Sequence, residues 1–356
     1  MSQTRHILIA TLLLITCNGP TSGNWMYLSL TSINTNGMID CNSVSNLNSY
    51  HLQLCRSRPR VIRIVGLGMQ IAVDECQRQF RRERWNCPLL TNEKSRNVFG
   101  RVLDRGTKET AFIHAITSAG VAFSVTQSCS RGMFPDCDKC DKSKKGHVDK
   151  SGEWKWGECN DNVNEGLKFA EEFIDSTEKY VDRIRRSRKR HLRRTMNLHN
   201  NRAGRLALID SMMSVCGCTG VSGSCATRVC RRIMPPFKIV GERMKMLYND
   251  AIKMPLNRRG RKQIREAKSS KIKQLLYFEK SPNFCFFDAA KGVLGTSGRV
   301  CNITSTGMDN CSLLCCGQGY NIQIRRNVER CNCKFKWCCK VDCNTCESLE
   351  KVHTCK

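Results

Sequence analysis

Twenty-five cysteines in a chain of 356 residues constrain this protein more than any other feature, and they are unevenly placed. Twelve crowd between Cys285 and Cys355, four fall within Cys216 to Cys230, and eight are scattered from Cys41 to Cys159. Whether they hold metal or one another depends on compartment. Met1 to Gly23 has a basic Arg5-His6, an apolar run from Ile7 to Ile15, and small or polar residues ending Thr21-Ser22-Gly23, which reads as a secretory signal peptide. The apolar run is about half the ~20 residues a membrane span needs, so a transmembrane anchor is the weaker reading. No later segment has that length; the most apolar, Ala111 to Val125, is broken by His114, Thr117 and Ser118. Removing the leader takes Cys17 with it and leaves an even set able to form disulfides throughout. Cys137 to Cys140 and Cys343 to Cys346 would suggest zinc in a cytosolic chain. After secretion they read as bridge partners, with no metal and no cofactor.

The tightest group is Cys216-Gly-Cys-Thr-Gly-Val-Ser-Gly-Ser-Cys-Ala-Thr-Arg-Val-Cys230. Pairing Cys216 with Cys230 and Cys218 with Cys225 would zip two short arms into a stapled hairpin. Gly220 and Gly223 would then supply the positive φ angles of a tight tip and leave Ser222 at its apex. A bare serine there could be a nucleophile, a contact or an acceptor for modification.

The front of the chain reads helical. Ile62, Val65, Met69, Ala72, Val73, Cys76 and Phe80 recur at three- and four-residue steps and form one apolar stripe. Glu109 to Cys129 is apolar nearly all round, as a central helix is. Further amphipathic stretches run from Val163 to Tyr180 and from Met196 to Val215. The tail differs: Cys315-Cys316, Cys331-Asn-Cys333 and Cys338-Cys339 alternate with β-prone pieces such as Ile322 to Ile324 and Lys334 to Trp337. With so little apolar mass it needs bridges, each worth roughly 2–4 kcal/mol, and it reads as long cross-linked hairpins. The predicted fold is α+β and disulfide-rich: a leader over 1–23, a helical N-terminal domain over 24–280 carrying the hairpin 216–230, and a small C-terminal β-hairpin domain over 281–356.

Several motifs now carry a resemblance. The hairpin, Glu75-Cys-Gln-x-Gln-Phe80 running into Arg84-Trp-Asn-Cys87, Met196-Asn-Leu-His-Asn-Asn201 with Ala203-Gly-Arg205, Gly295-Thr-x-Gly-Arg299, Leu314-Cys-Cys-Gly317 and Cys331-Asn-Cys-Lys-Phe-Lys-Trp-Cys-Cys339 together resemble the Wnt family of secreted morphogens. The likeness runs from about Asn24 to Lys356. Asn24-Trp-Met-Tyr-Leu28, Gly120-Val-Ala-Phe123 and Trp156-Gly-x-Cys-x-Asp-Asn162 are most similar to the fourth vertebrate subgroup.

The resemblance implies that Ser222 carries O-linked palmitoleate, added by a membrane-bound acyltransferase and handed to a lipid carrier for export. It also implies a groove on the Frizzled cysteine-rich domain as the site that receives the chain. At ~0.8 kcal/mol per buried methylene, such a chain offers on the order of 10 kcal/mol to an accepting groove. Ser224, beside Cys225 and off the apex, is the weaker acceptor. A second implied contact is a finger from Lys334 to Cys343, with Phe335, Trp337 and Val341 touching the receptor and a Cys338–Cys343 bridge stiffening the tip. Taken alone, Trp337 reads equally well as packing between hairpins. The resemblance further implies an LRP-type co-receptor and release to the extracellular matrix. Thr219 stands where the family has histidine, Arg231-Arg232 where it has tryptophan, and the Cys137 to Cys140 spacing is one residue wider than usual. Asn302-Ile-Thr304 is an open glycosylation sequon; Asn310-Cys-Ser312 fits formally, but a bridged Cys311 would hide it.

Charge is the loudest compositional signal, +28 from 59 Lys and Arg against 31 Asp and Glu. Eight cations lie between Arg183 and Arg194, among them Arg185, Arg186, Arg188, Lys189 and Arg190, and eight more between Arg258 and Lys273. Outside the cell the available polyanion is heparan sulfate rather than nucleic acid, and the counterion-release physics is analogous. The alternatives are solvated linkers or, at Arg186 to Arg190, a protease-processing site. An enzyme is the competing class. Gly220-Val-Ser-Gly-Ser224 ends in serine where a hydrolase elbow needs glycine, and no strand-turn-helix context surrounds it. The histidines lack metal-ligand spacing, and His199 reads as structural. A secreted protease inhibitor would explain the hairpin but not the helical half.

Overall fold

A computed structural model describes residues 25–29, 41, 47–89, 98–135, 137–141, 159–181, 188–218, 220–225, 228–255 and 273–356. The expected leader over 1–23 lies outside them.

The core is built around one helix. After a 3₁₀ turn at Trp25–Ser29 come α1 (Ser49–Ser57), α2 (Pro59–Phe80), α3 (Lys108–Ser130), α4 (Val163–Val181), α5 (Arg188–Asp210) and α6 (Phe237–Asn249). The Thr107 side chain caps α3 by accepting from the Thr110 N–H, satisfying one of the orphan donors of its first turn. Beyond the cap, Phe112, Ile113, Ile116, Ala119, Val121, Ala122 and Val125 are buried on all sides. A helix apolar all round must be enclosed, and α2, α4, α5 and α6 all pack against α3. Its closest neighbour is α2. A Cβ on Gly68 would lie 2.6 Å from the Gly120 carbonyl oxygen, and one on Gly120 would lie 2.4 Å from that of Gly68. Only a glycine pair lets the two backbones touch there.

Polar groups fix the other helices. Arg205 of α5 donates from Nη2 to Asp175 of α4 at 3.1 Å and from Nη1 to Ser118 of α3 at 3.1 Å, while Asn201 donates to Asp175 at 2.9 Å. All four are buried, and a buried charge pair holds only when its remaining donors and acceptors are also met. His51 and His114 are buried as well. Desolvation pushes each imidazole down to about 4, opposed at His51 by a bond to the Phe173 carbonyl and at His114 by one to Asn201. Desolvation pushes the Glu178 carboxyl up to about 7, opposed by the bond from Asn197.

The expected stretch Met196 to Val215 divides differently. Helix α5 starts at Arg188 and stops at Asp210, and β1 (Met213–Cys218) follows. The apolar step from Met213 to Val215 is two residues, the period of a strand. Asn200, inside the expected helix, docks the next layer: its Nδ2 donates to the Leu276 carbonyl and its Oδ1 accepts from the Leu276 N–H, both at 2.9 Å. That fixes β4 (Leu276–Tyr277), which pairs in parallel with β3 (Ile252–Lys253). His199 bonds the Gln274 carbonyl at 2.9 Å.

The C-terminal region has almost no aliphatic core. Its buried cluster is Cys301, Cys311, Leu314, Cys315 and Cys355, mostly sulfur. Strand β5 (Val300–Cys301) pairs with the end of β7 (Lys340–Cys355), and β7 pairs along its length with β6 (Tyr320–Lys336) in the order β5-β7-β6. A short helix, α7 (Cys311–Leu314), packs beside β7. The long bridged ribbon agrees with the cross-linked hairpins expected from the cysteine spacing.

Candidate functional site: a stapled serine tip and a bridged finger

Strand β1 runs antiparallel to β2 (Arg228–Ile233), with Cys216 directly opposite Cys230. Cys216 is bonded to Cys230 and Cys218 to Cys225, so both ends of the reversal are fixed. Within it the Gly220 N–H donates to the Ser224 carbonyl at 2.8 Å and the Gly223 N–H to the Gly220 carbonyl at 3.0 Å. The glycines serve different ends from those expected. Gly223 does take φ +76°, but Gly220 sits at φ −72°. Gly220 is needed for space, since a Cβ there would meet Ser224 Oγ at 2.1 Å.

The second left-handed residue of the tip is Ser222 itself, at φ 58° and ψ 26°. For a non-glycine residue that conformation costs roughly 1–2 kcal/mol and persists where the surroundings impose it. Here Ser222 lies inside the loop closed by the Cys218–Cys225 disulfide and by the Gly220–Ser224 and Gly223–Gly220 backbone hydrogen bonds. Ser222 is exposed and its neighbour Val221 is 90% exposed. Among the described residues no histidine or carboxylate is hydrogen-bonded to Ser222 Oγ. The arrangement presents the Ser222 hydroxyl to solvent.

The finger is the far end of the β6–β7 ribbon, closed by a turn at Trp337, Cys338 and Cys339. Phe335 faces Val341 across the strands, and all three expected contact residues are exposed, Trp337 by 91%. The Cys338–Cys343 bridge is a correction. Cys343 is bonded to Cys333 and Cys331 to Cys346. The register shifts between Cys331 and Lys334, and this bulge sets Cys333 beside Cys343. Cys338 belongs to the turn, beyond the Lys336–Lys340 pair, and at ~3.3 Å per residue it is too far up the ribbon to reach Cys343. Cys338 and Cys339 are exposed, at φ 77° and 73°, and are the only cysteines among the described residues outside a disulfide.

Elsewhere, Asn302 is exposed and its Oδ1 accepts from the Thr304 N–H and Oγ1 at 3.0 and 2.8 Å. Asn310 is half-buried, caps α7 and donates to the Ser305 carbonyl at 2.6 Å. Arg185, Arg186 and residues 256–272 lie outside the described residues. Arg188 and Lys189 open α5, and Arg190 is exposed. The sulfurs of Cys301, Cys315 and Cys355 lie close enough to suggest a metal site, but all three are in disulfides, Cys301–Cys311 and Cys315–Cys355. Among the described residues no helix is long and apolar enough to cross a membrane.

A helical body that projects a doubly stapled, exposed serine tip, joined to a disulfide-bonded finger with Phe335, Trp337 and Val341 exposed, has the frame of a disulfide-bonded binding protein. The Wnt family model matches residues 43–356, and the chain belongs to that family. It is therefore a signalling ligand of the Wnt type and not an enzyme, and it needs no cofactor. In the solved complex of human WLS with WNT8A, one chain is 33% identical to this one, covering 85% of this chain and 96% of its own at a TM-score of 0.60. The Drosophila WntD N-terminal domain with its linker is 20% identical over 62% of this chain and 97% of that one, at a TM-score of 0.37.

Proposed function

We propose that this chain is a secreted Wnt ligand, made with a leader over 1–23, that carries palmitoleate on Ser222 and inserts it into the groove of a Frizzled cysteine-rich domain. The observation that carries this reading is the tip itself. Two disulfides frame a tip in which Ser222 is exposed and left-handed, and among the described residues no histidine or carboxylate is hydrogen-bonded to its Oγ. A hydroxyl so placed can enter an acyltransferase and then hold a hydrocarbon chain clear of the protein.

The helical domain over 24–280 presents the acyl chain, and the C-terminal domain over 281–356 presents the finger. Phe335, Trp337 and Val341 form its receptor-facing surface, and an LRP-type co-receptor completes the signalling complex. During export a WLS-type carrier shields the lipid; the likeness to a WNT8A chain solved with WLS supports this partner. After release, Arg185, Arg186, Arg188, Lys189 and Arg190 hold the ligand on heparan sulfate in the extracellular matrix, and Asn302 carries an N-linked glycan.

Binding to a purified Frizzled cysteine-rich domain tests the reading. Trp337→Ala removes an exposed aromatic anchor and should cost about 2 kcal/mol of affinity or more with secretion unchanged. A Trp337→Ala protein that binds normally but is poorly secreted would make Trp337 a folding residue instead.

A further inference from the structure

The β6–β7 ribbon carries a second surface below its tip. Its register pairs Ile322 with His353, Ile324 with Lys351, Arg326 with Leu349 and Val328 with Glu347, so these side chains share one face. Ile322, Ile324, Val328 and Leu349 are 55–75% exposed. A contiguous aliphatic row on a two-stranded ribbon is unusual, because such a ribbon is marginal by itself and flat apolar strands invite association. Among the described residues β5 covers only the base of β7. The opposite face holds one aliphatic residue, the half-buried Val352, among Asn321, Gln323, Arg325, Asn327, Ser348 and Glu350.

The charges say what covers the aliphatic face. Arg326, Arg330 and Lys351 lie on it against one acid, Glu347, which is itself paired with Arg326. Aliphatic side chains interleaved with long-stemmed cations match an anionic lipid surface: the stems reach the headgroups while isoleucine, leucine and valine enter the acyl boundary. A second copy of the chain fits poorly, since it would bring these cations, and a net charge of +28 on each chain, against one another.

We propose that the ribbon face formed by Ile322, Ile324, Val328 and Leu349 lies on anionic phospholipid bilayers and gives the ligand a membrane contact independent of any lipid on Ser222.

The test is co-flotation with vesicles of 3:1 phosphatidylcholine to phosphatidylserine, using full-length Ser222→Ala protein purified from producing cells, so that an acyl chain cannot contribute. At about 0.15 M sodium chloride the basic runs act equally on parent and variants of unchanged charge, so the ratio of their bound fractions reads the aliphatic face. The protein should float, and Ile322→Thr/Ile324→Thr/Leu349→Thr, which leaves the charge unchanged and uses a strand-favouring residue, should cut the bound fraction at least tenfold. Gln323→Thr on the opposite face should change nothing. If the triple variant is not recovered folded, Leu349→Gln alone should lower binding about threefold. Equal flotation of parent and variant would overturn the proposal. So would a loss confined to Frizzled-domain affinity, which makes the face a protein contact, or a parent dimer in light scattering that the variant abolishes. Failure of acylation at Ser222 would leave this assay unaffected.

Discussion

Arg299 donates from Nη1 to the Arg84 carbonyl at 2.7 Å, and Arg84 donates from Nε and Nη2 to the Leu313 carbonyl at 3.1 and 2.9 Å. The two arginines cross, each reaching from one part of the chain onto the backbone of the other. Arg299 also donates to the Arg81 carbonyl at 3.1 Å, so its guanidinium caps the C-terminal end of α2, where a cation is favoured. Arg82, exposed, and Asp309, half-buried, add an ion pair at 3.4 Å.

Arg299→Ala should therefore loosen the ribbon region from the helical body. Hydrogen bonds from a charged donor are worth about 1.5–3 kcal/mol. Limited proteolysis should cut near residues 278–285 faster, with the midpoint of chemical denaturation lowered. Arg299→Lys, which cannot span both carbonyls with a planar fork, should recover only part of the loss.

The Arg205–Asp175 pair gives a sharper contrast. Arg205→Ala leaves a buried carboxylate unpaired and should cost about 3–5 kcal/mol, whereas Arg205→Met with Asp175→Leu removes both charges and should restore most of that stability. Denaturation of the two variants beside the parent decides it. Equal destabilisation of single and double variants would mean that shape, not charge, matters there.

Acid should weaken the fold. His51 and His114 titrate near 4 when folded but near 6.5 when unfolded, so their contribution is complete above pH 6.5 and is lost as pH falls toward 4. Glu178 acts oppositely: raised to about 7, it stabilises most below pH 4.5 and loses that contribution as pH rises toward 7. Two groups outweigh one, so the denaturation midpoint should fall between pH 6.5 and 5, and the Glu178→Gln variant should fall more steeply because the opposing group is gone.

Replacing Arg185, Arg186, Arg188, Lys189 and Arg190 with glutamine should lower the slope of log affinity for heparin against log salt, since each neutralised sulfate releases counterions. Affinity for a purified Frizzled domain should hardly change. An unmoved heparin elution position would reduce this run to a solvated linker.

The helices were legible because burial writes a 3.6-residue period: the Ile62 to Phe80 stripe became α2, and the nearly all-apolar Glu109 to Cys129 became α3. The stapled hairpin was legible because four cysteines in so short a segment allow few geometries. What escaped depends on the third dimension. The Cys338–Cys343 reading failed because a bulge at residues 331–334 changes which cysteines oppose each other, and sequence spacing carries no trace of it. Arg84 and Arg299 were visible only as motif letters, since their partners are backbone carbonyls, which any residue supplies. The positive φ of Ser222 was assigned instead to Gly220, because glycine is the usual bearer of that conformation. The aliphatic row of the ribbon needed the pairing of Leu349 with Arg326 to bring it beside Ile324 and Val328.

The most direct measurement is intact-mass spectrometry of the peptide spanning Cys218 to Arg228 from secreted protein. The account predicts an added monounsaturated sixteen-carbon acyl group on Ser222, absent from Ser222→Ala and retained in Ser224→Ala. Secreted protein that activates its receptor while this peptide has its unmodified mass would contradict it.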